Sequence, residues 1–555
     1  MAALPPAEVS EATEAPPSEE TPGLGRSAAL MTLGTVLSRA TGVVRLGLLA
    51  ATLGITETRL TDAYNLANTA PNILYELVLG GVITAVFVPV FVELLDERDG
   101  GERDVSAIVN VALVSLTVLA VVGILAAPLI ARFYSSRLSG PDAAAQQEVV
   151  TTLLRFFLPQ LPLYGLYFMG SAFMNVRRRF VLPMFTQIVN NLVLIGVLIA
   201  FNVLYGFVDL RSVTDAQLAL LGIGTTISVA PMGVLLLPSL RRLGYRWHWR
   251  FDRALWRRMA SLSGYAIGFV AANQIGFLAI QWLANRRQGG YTAYVAAFTF
   301  FLLPIGLFVW SITTALAPSL SRSALKPGRE GMADVLSLAI RSTLFLVVPC
   351  TVGFLLLGRP LVEVMLEHDV VTAESTDLIV RILSFLVLGL VQFSIFQVLI
   401  RASYALQDAR TPFVVNSVAI AFNIAVNVAM FLWIGVVGLA AGHAVTYTLA
   451  VWLQGRALTR EVPGFDLARV GRSAARIALA AAGMALVLAG VTALSELAVD
   501  DPDGVALAGL VALQVTAGGV AYLALCAALR IEELSFVKAA LGRKIGYAGP
   551  QSDSS

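Results

Sequence analysis

Long apolar runs alternate with short polar or basic turns along the whole chain. A helix crossing a bilayer core of about 30 Å needs roughly 20 mostly apolar residues. Fourteen stretches meet that demand, near 27–54, 62–95, 105–132, 151–175, 181–205, 217–239, 258–284, 291–320, 331–357, 376–406, 412–434, 436–456, 473–494 and 504–529. Barrel strands would alternate over about ten residues. These runs are longer and do not alternate, so spanning helices are predicted. Pro183, Gly206, Pro360, Pro412 and Gly435 are read as span boundaries. Residues 1–25 are rich in Pro, Glu, Ala and Ser without periodicity, the pattern of a disordered tail. They lack the basic start and short apolar core of a cleavable signal, so the first apolar helix is expected to direct its own insertion. Residues 531–555 read as a second polar tail.

Composition agrees with lipid as the main solvent. Apolar residues make up 57% of the 555 and charged residues 14%, against about 25% charged in soluble domains. This excludes an ordinary soluble enzyme, and the net charge of +3 offers nothing to a nucleic-acid partner. Cys350 and Cys526 both lie in apolar runs and read as inert buried thiols. No phosphate loop, HExxH motif or nucleophile elbow occurs. A transporter is expected, not an enzyme, without a cofactor; the coupling ion, if one is used, is left unspecified.

Basic residues concentrate in alternate loops. One set holds Arg177, Arg178, Arg179, Arg241, Arg242 and Arg246 among many others, whereas the other set holds only Arg59, Arg132, Arg137, Arg211, Arg286, Arg287 and Arg359. By the positive-inside rule, both termini are expected on the cytoplasmic side.

The halves also resemble each other. Ile83-Thr84 and Pro89 recur 229 residues later as Ile312-Thr313 and Pro318; Pro183 and Gln187 recur as Pro412 and Asn416. The expected fold is an all-α polytopic membrane protein with two pseudo-twofold related six-helix lobes, at 26–240 and 241–457, followed by a terminal helix pair at 458–530. In such paired-lobe transporters the site lies between the halves near the midplane.

Polar residues inside the runs mark where that site would form, because intramembrane charges face a bundle interior or a watery cavity. Span one carries Arg39 near its middle; Ser38, Gly42 and Arg45 fall at i, i+4 and i+7 on one face. Arginine suits phosphate because its planar fork holds two oxygens at once. Span two carries Asp62, Asn65, Asn68, Asn72 and Glu76 at spacings of three and four, a polar stripe that either lines a cavity or pairs with the arginines. Pro71, with Gly80-Gly81, supplies soft points for bending, and Gly42 lies opposite on span one. Asn273 and Gln274 in span seven belong to the facing lobe. Asn190, Asn191, Asn416, Asn423 and Asn427 are expected to bond between helices. Arg341, Arg381 and Arg401 are expected to snorkel to the interface, and His443 reads as a structural histidine.

The run Ser38-Arg39-x-x-Gly42-x-x-Arg45, then Thr61-Asp62-Ala63-Tyr64, Pro71-Asn72-Ile73-Leu74, Gly81 and Phe87-Val88-Pro89-Val90-Phe91 resembles the MurJ/MviN lipid II flippase family of the MOP exporter superfamily. Pro304-x-Gly306, Ala317-Pro318-Ser319-Leu320-Ser321 and Thr411-Pro412 fit the same family. The resemblance implies fourteen helices. It also implies transfer of an undecaprenyl-diphosphate-linked peptidoglycan precursor across the bacterial cytoplasmic membrane by alternating access. Arg39 and Arg45 would bind the diphosphate, Asp62 would serve a gate or cavity wall, and the polyprenyl tail would stay in lipid beside the last two helices. Partners would be the lipid-linked glycan, membrane lipids and cell-wall synthesis proteins. The chain departs from the family in span two, where Tyr75 and Glu76 replace a basic pair, and at Thr299, where a cavity arginine is usual. A less cationic cavity is therefore expected. Another polyprenyl-linked glycan, a MOP-type export substrate, or a scaffold role without transport stand as alternatives.

Overall fold

The computed structural model describes residues 24–77, 88–97, 101–136, 138–177, 179, 181–248, 253–368, 370–498, 502 and 504–535. The two expected tails and the Gly80-Gly81 hinge lie largely or wholly outside these residues.

The described chain is helical. Its first half contains α1 (Leu24–Leu53), α2 (Leu60–Tyr75), α3 (Val88–Glu97), α4 (Gly101–Ser135), α5 (Pro141–Phe157), α6 (Gln160–Val176), α7 (Val181–Tyr205), α8 (Asp215–Val234) and α9 (Leu237–Arg242). Then follow α10 (Arg253–Ala284), α11 (Gly290–Pro304), α12 (Trp310–Ala324), α13 (Met332–Leu366), α14 (Ala373–Leu388), α15 (Leu390–Ala405), α16 (Arg410–Ile434) and α17 (Val436–Glu461). A last pair, α18 (Leu467–Ala498) and α19 (Gly504–Ala528), closes the chain. Local chemistry sets several ends. Thr214 and Gln217 form a reciprocal capping box that starts α8, and Gly435, at φ 66°, turns the chain between α16 and α17.

Among the described residues, ten helices are long and apolar enough to cross a membrane, or twelve if two bent pairs each count once. The chain is thus a multi-pass membrane protein, and the structure refines the fourteen expected stretches in four places. The stretch at 151–175 belongs to α5 and α6, which meet at 41° beside Pro159; the stretch at 376–406 is α14 and α15, which meet at 46° at Gly389. Pro360 is no boundary: with Pro349 it lies inside α13, where neighbouring helices satisfy the freed backbone groups. The stretch at 62–95 yields α2, a wider π turn at 76–77, and α3 beyond the undescribed 78–87.

Packing partners recur with a shift of nine helices. α1 packs on α7 and α7 on α8; later α10 packs on α16 and α16 on α17. α4 touches α5 and α6, as α13 touches α14 and α15. Even the bent pairs correspond. α1–α9 and α10–α17 therefore form two helical groups, and α18 and α19 pack on each other and against α13. Several of the expected polar contacts between helices are present, although Asn427 donates to Asn423 within its own helix. Asn191 Nδ2 donates to Ser38 O and Thr41 Oγ1, joining α7 to α1, and Asn416 Nδ2 donates to Phe269 O, joining α16 to α10.

The α16–α17 hairpin depends on a close backbone approach. A Cβ at Gly438 would strike the Met430 carbonyl, and backbone cannot step aside as a side-chain end can. Replacing Gly438 with Val is expected to cost about 2–3 kcal/mol, read as a lowered unfolding temperature of the detergent-solubilised protein. Val at Gly455, whose Cβ would meet nothing within 4 Å, is expected to shift it far less.

Candidate functional site between the two helical groups

The α1–α2 turn and the first turn of α2 each carry a carboxylate, Glu57 and Asp62, and each is held by donors from the other helical group. Asp62, fully buried, accepts from the Gly289 N–H at 2.7 Å, the Thr292 N–H at 2.9 Å and the Thr292 hydroxyl at 2.7 Å. Gly289 is the N-cap of α11 and Thr292 lies in its first turn. Asp62 thus caps a helix far along the chain, 227 residues from its bonded N-cap Gly289, placing negative charge at the positive end of the helix dipole. Asn65 Nδ2 joins the cluster by donating to Thr292 Oγ1. Glu57 repeats the device one loop away. It accepts from the Thr372 N–H, the Thr372 hydroxyl and the Ser375 hydroxyl at 2.8–2.9 Å, at the start of α14. Gln288 Nε2 donates to Thr56 O, and Arg59 to Asn285 O.

Gly289 lets this clasp close. Its φ is +69°, and a Cβ there would run into the Ile55–Thr56 backbone of the opposite group. The polar stripe therefore divides along its length. Asp62 and Asn65 belong to the clasp and not to an open cavity, because the buried interface leaves their groups no room for cargo. Asn68 accepts at its backbone carbonyl from Asn72 Nδ2 within α2.

Beyond the clasp the two groups part around a cavity of about 330 Å³. Thr69, Asn72 and Glu76 face it from α2, Asn273 and Gln274 from α10, and His443 from α17. Gln274 Nε2 donates to Glu76 Oε2 at 2.5 Å. Pro71 and the π turn at 76–77 set the direction of this wall. His443 sits among Phe298, Phe301, Phe393 and Tyr447. Among the described residues Glu76 is the one carboxylate on the lining, and no arginine or lysine joins it.

The arginines of α1 diverge. The Arg39 guanidinium stands 5.5 Å from the Trp310 ring and fills the space left by the missing side chain of Gly306. It thus abuts the π-helical stretch Ile305–Val309 of the second group. Arg45 instead lies within electrostatic reach of Tyr64 and Tyr164 in its own group. Gly42 faces Asn191 of α7. Thr299 bonds back to Val295 O of its own helix and does not line the cavity.

The family model described as "Lipid II flippase MurJ" matches residues 49–500. The chain belongs to the MurJ family. A probable lipid II flippase MurJ of Vibrio cholerae is 26% identical over 446 residues, covering 78% of this chain and 82% of the relative. A lipid II flippase MurJ of Burkholderia cenocepacia is 25% identical over 423 residues, covering 74% and 78%. In fold, this MurJ-family chain matches a lipid II flippase MurJ solved in an inward closed conformation, with TM-score 0.73, 20% identity, and coverage of 93% and 99%. A MATE transporter of the MOP superfamily in an inward-facing conformation matches at TM-score 0.61 and 12% identity, covering 79% and 99%.

Glu57, Gly289, Thr292 and Ser375 were not among the expected site residues of this MurJ-family chain. They sit in turns or in the first turn of a helix, where apolar periodicity says nothing, and the usable signal was a Gly-Gly pair ahead of an apolar helix.

Two outcomes are expected of the clasp. Asp62→Ala leaves buried donors without an acceptor, at roughly 1–3 kcal/mol each, and Gly289→Val obstructs the approach sterically. Either change should raise, by roughly tenfold or more, the labelling of a cysteine at Asn72 by an impermeant thiol reagent added from the clasped side. The parent for this measurement has serine at Cys350 and Cys526. The second outcome concerns pH. Burial pushes the Glu57 carboxyl up, but the donors from Ile55, Thr372 and Ser375 outweigh it and hold the group below its ordinary value. A carboxyl depressed in the clasped state stabilises that state above the ordinary carboxylate range, and the contribution is lost as pH falls through the lowered value. Labelling should therefore rise on acidification below that range, and Glu57→Gln should remove this part of the rise.

Proposed function

We propose that this chain moves lipid II, the diphosphate-linked peptidoglycan precursor, across the bacterial cytoplasmic membrane by alternating access. The observation that carries the reading is the MurJ family match over residues 49–500, joined to an interface sealed at one end and hollow beyond. The finer architecture follows the same reading: fourteen spans, two six-helix lobes related by a pseudo-twofold axis, and a terminal pair. The nine-helix recurrence of packing partners supports the two lobes. Both termini are assigned to the cytoplasm, which makes the clasped face periplasmic and the resting state inward-facing.

In this scheme the headgroup enters between the lobes. Arg39 lies against Gly306 and Trp310, and it meets phosphate oxygens once the π-helical stretch of the second lobe shifts. A charge-assisted bond of this kind contributes about 1.5–3 kcal/mol net, enough to hold a headgroup without trapping it. Arg45 is the second phosphate partner of the cycle, Asn72, Glu76 and Asn273 meet the sugar or peptide portion, and Thr299, off the lining in this state, reaches it only as α11 moves. A groove of about 570 Å³ between α11–α13 and α18–α19, lined by Leu307, Phe354, Leu488 and Leu523 among others, suits an apolar tail. Gly42 and Pro71, with Gly80 and Gly81, are assigned as hinges. Movement breaks the Asp62 and Glu57 clasps, and headgroup binding supplies the compensating contacts.

A neighbouring reading, transfer of another polyprenyl-linked glycan, is favoured by the carboxylate and missing basic side chains on the described cavity lining. Growth of cells depleted of their own lipid II flippase distinguishes the two. The intact chain should restore growth, and Arg39→Ala should abolish rescue while the protein still inserts at normal levels. Failure of the intact chain to rescue despite proper insertion would contradict lipid II as cargo.

A further inference from the structure

A second charged site lies away from the cavity, where α13, α18 and the turn after α19 meet. Arg341 was expected to reach the interface, yet it is 6% exposed. Its Nη1 donates to Glu532 at 2.8 Å and lies 3.0 Å from Glu533, while its buried Nε has no partner. Around it a pocket of about 280 Å³ is walled by Arg341, Arg469, Arg472, Arg476, Glu532 and Glu533.

The charge there is not balanced from inside. Four guanidinium groups face two carboxylates, and Glu533 is also held by the Ser473 hydroxyl. The remaining pairs are long and between exposed groups: Arg469 to Glu532 at 3.4 Å and to Asp334 at 3.7 Å, and Arg472 to Asp466 at 3.8 Å. Such pairs contribute little. Arg476 has no ion pair among the described residues. An anion with two or more acceptor oxygens would supply what this wall lacks, and phosphate fits the arginine fork.

The pocket also has an apolar neighbour. A groove of about 410 Å³ between α13, α15, α17 and the start of α18 is walled by Leu336, Ile340, Leu399, Leu458, Phe465 and Val470. Ile340 and Val470 are the chain neighbours of Arg341 and Arg469, so pocket and groove share walls. The Trp452 ring, with the Arg456 guanidinium 5.9 Å from it, lies on the groove's edge, an arrangement typical of the headgroup level.

We propose that this pocket binds the phosphate of an acidic phospholipid whose acyl chain lies in the adjoining groove. The lipid would tie the terminal helix pair to α13, next to the helix wall that moves in transport. Charge complementarity selects the headgroup and the adjoining groove selects a lipid over a free anion.

The test uses the full chain in detergent, with native mass spectrometry and thermal unfolding as readouts. Probes are phosphatidylglycerol, phosphatidylcholine of the same chain length, and inorganic phosphate. Phosphatidylglycerol should be retained preferentially and raise the unfolding temperature, with little effect from the other two. The double variant R472A/R476A removes only exposed charges and should weaken that retention by roughly tenfold, without moving the unfolding temperature in the absence of lipid. Equal retention of the two lipids by the intact protein would overturn the proposal and needs no variant. So would unchanged retention in R472A/R476A, or an equal shift with inorganic phosphate, which would mark a site for a free anion.

Discussion

A carboxylate without water must find donors, and the Asp62 carboxylate finds all of its neutral donors across the interface between the helical groups. Burying an unpaired charge would cost several kcal/mol. Three bonds from the N-cap and first turn of α11 and the dipole of that helix offset it. The consequence reaches beyond one residue. As long as the clasp is closed, the α1–α2 turn, the approach of Gly289 to the Ile55–Thr56 backbone and the Glu57 contacts at α14 are held in one register. A structure stabilised in this way has two natural states, because half-open geometry would leave charge and donors both dry and unpaired.

The clasp and the cavity divide the labour of one helix. α2 begins with side chains that seal and ends with side chains that line, and Pro71 with the π turn lies at the change. Arg39 supplies the matching element on α1. Its guanidinium rests over Trp310 and against the missing side chain of Gly306, at a π-helical stretch, a kind of irregularity that often marks functional sites. Arg39 and an irregular part of the second helical group are thus in contact, so that engagement of one bears on the conformation of the other.

Much of this was legible in the residue pattern. Length and hydropathy identify spans because lipid offers no alternative partner to the backbone, and the 229-residue recurrence of Pro183 at Pro412 anticipates the recurring contacts of α7 and α16. The bends at Pro159 and Gly389 were not legible, since two apolar helices joined by a residue or two read as one run. Pro360 misled in the opposite sense: inside a packed bundle a proline is tolerated without ending the helix. Asp62 and Glu76 share a helical stripe yet serve different surroundings, and periodicity cannot tell a dry interface from a wet one. Arg341 shows the same limit, because its partners at 532 and 533 follow the last helix and are far away in sequence.

We infer that the closed Asp62 and Glu57 clasps define the resting state and open during transport. Distances between spin labels at Ser212 and Ala373, one on each helical group at the clasped face, test it most directly. Reconstituted protein without cargo should give one narrow short-distance population, and turnover conditions with lipid II should add a longer one at its expense. A distribution that ignores cargo, or a resting protein already spread over long distances, would contradict the account.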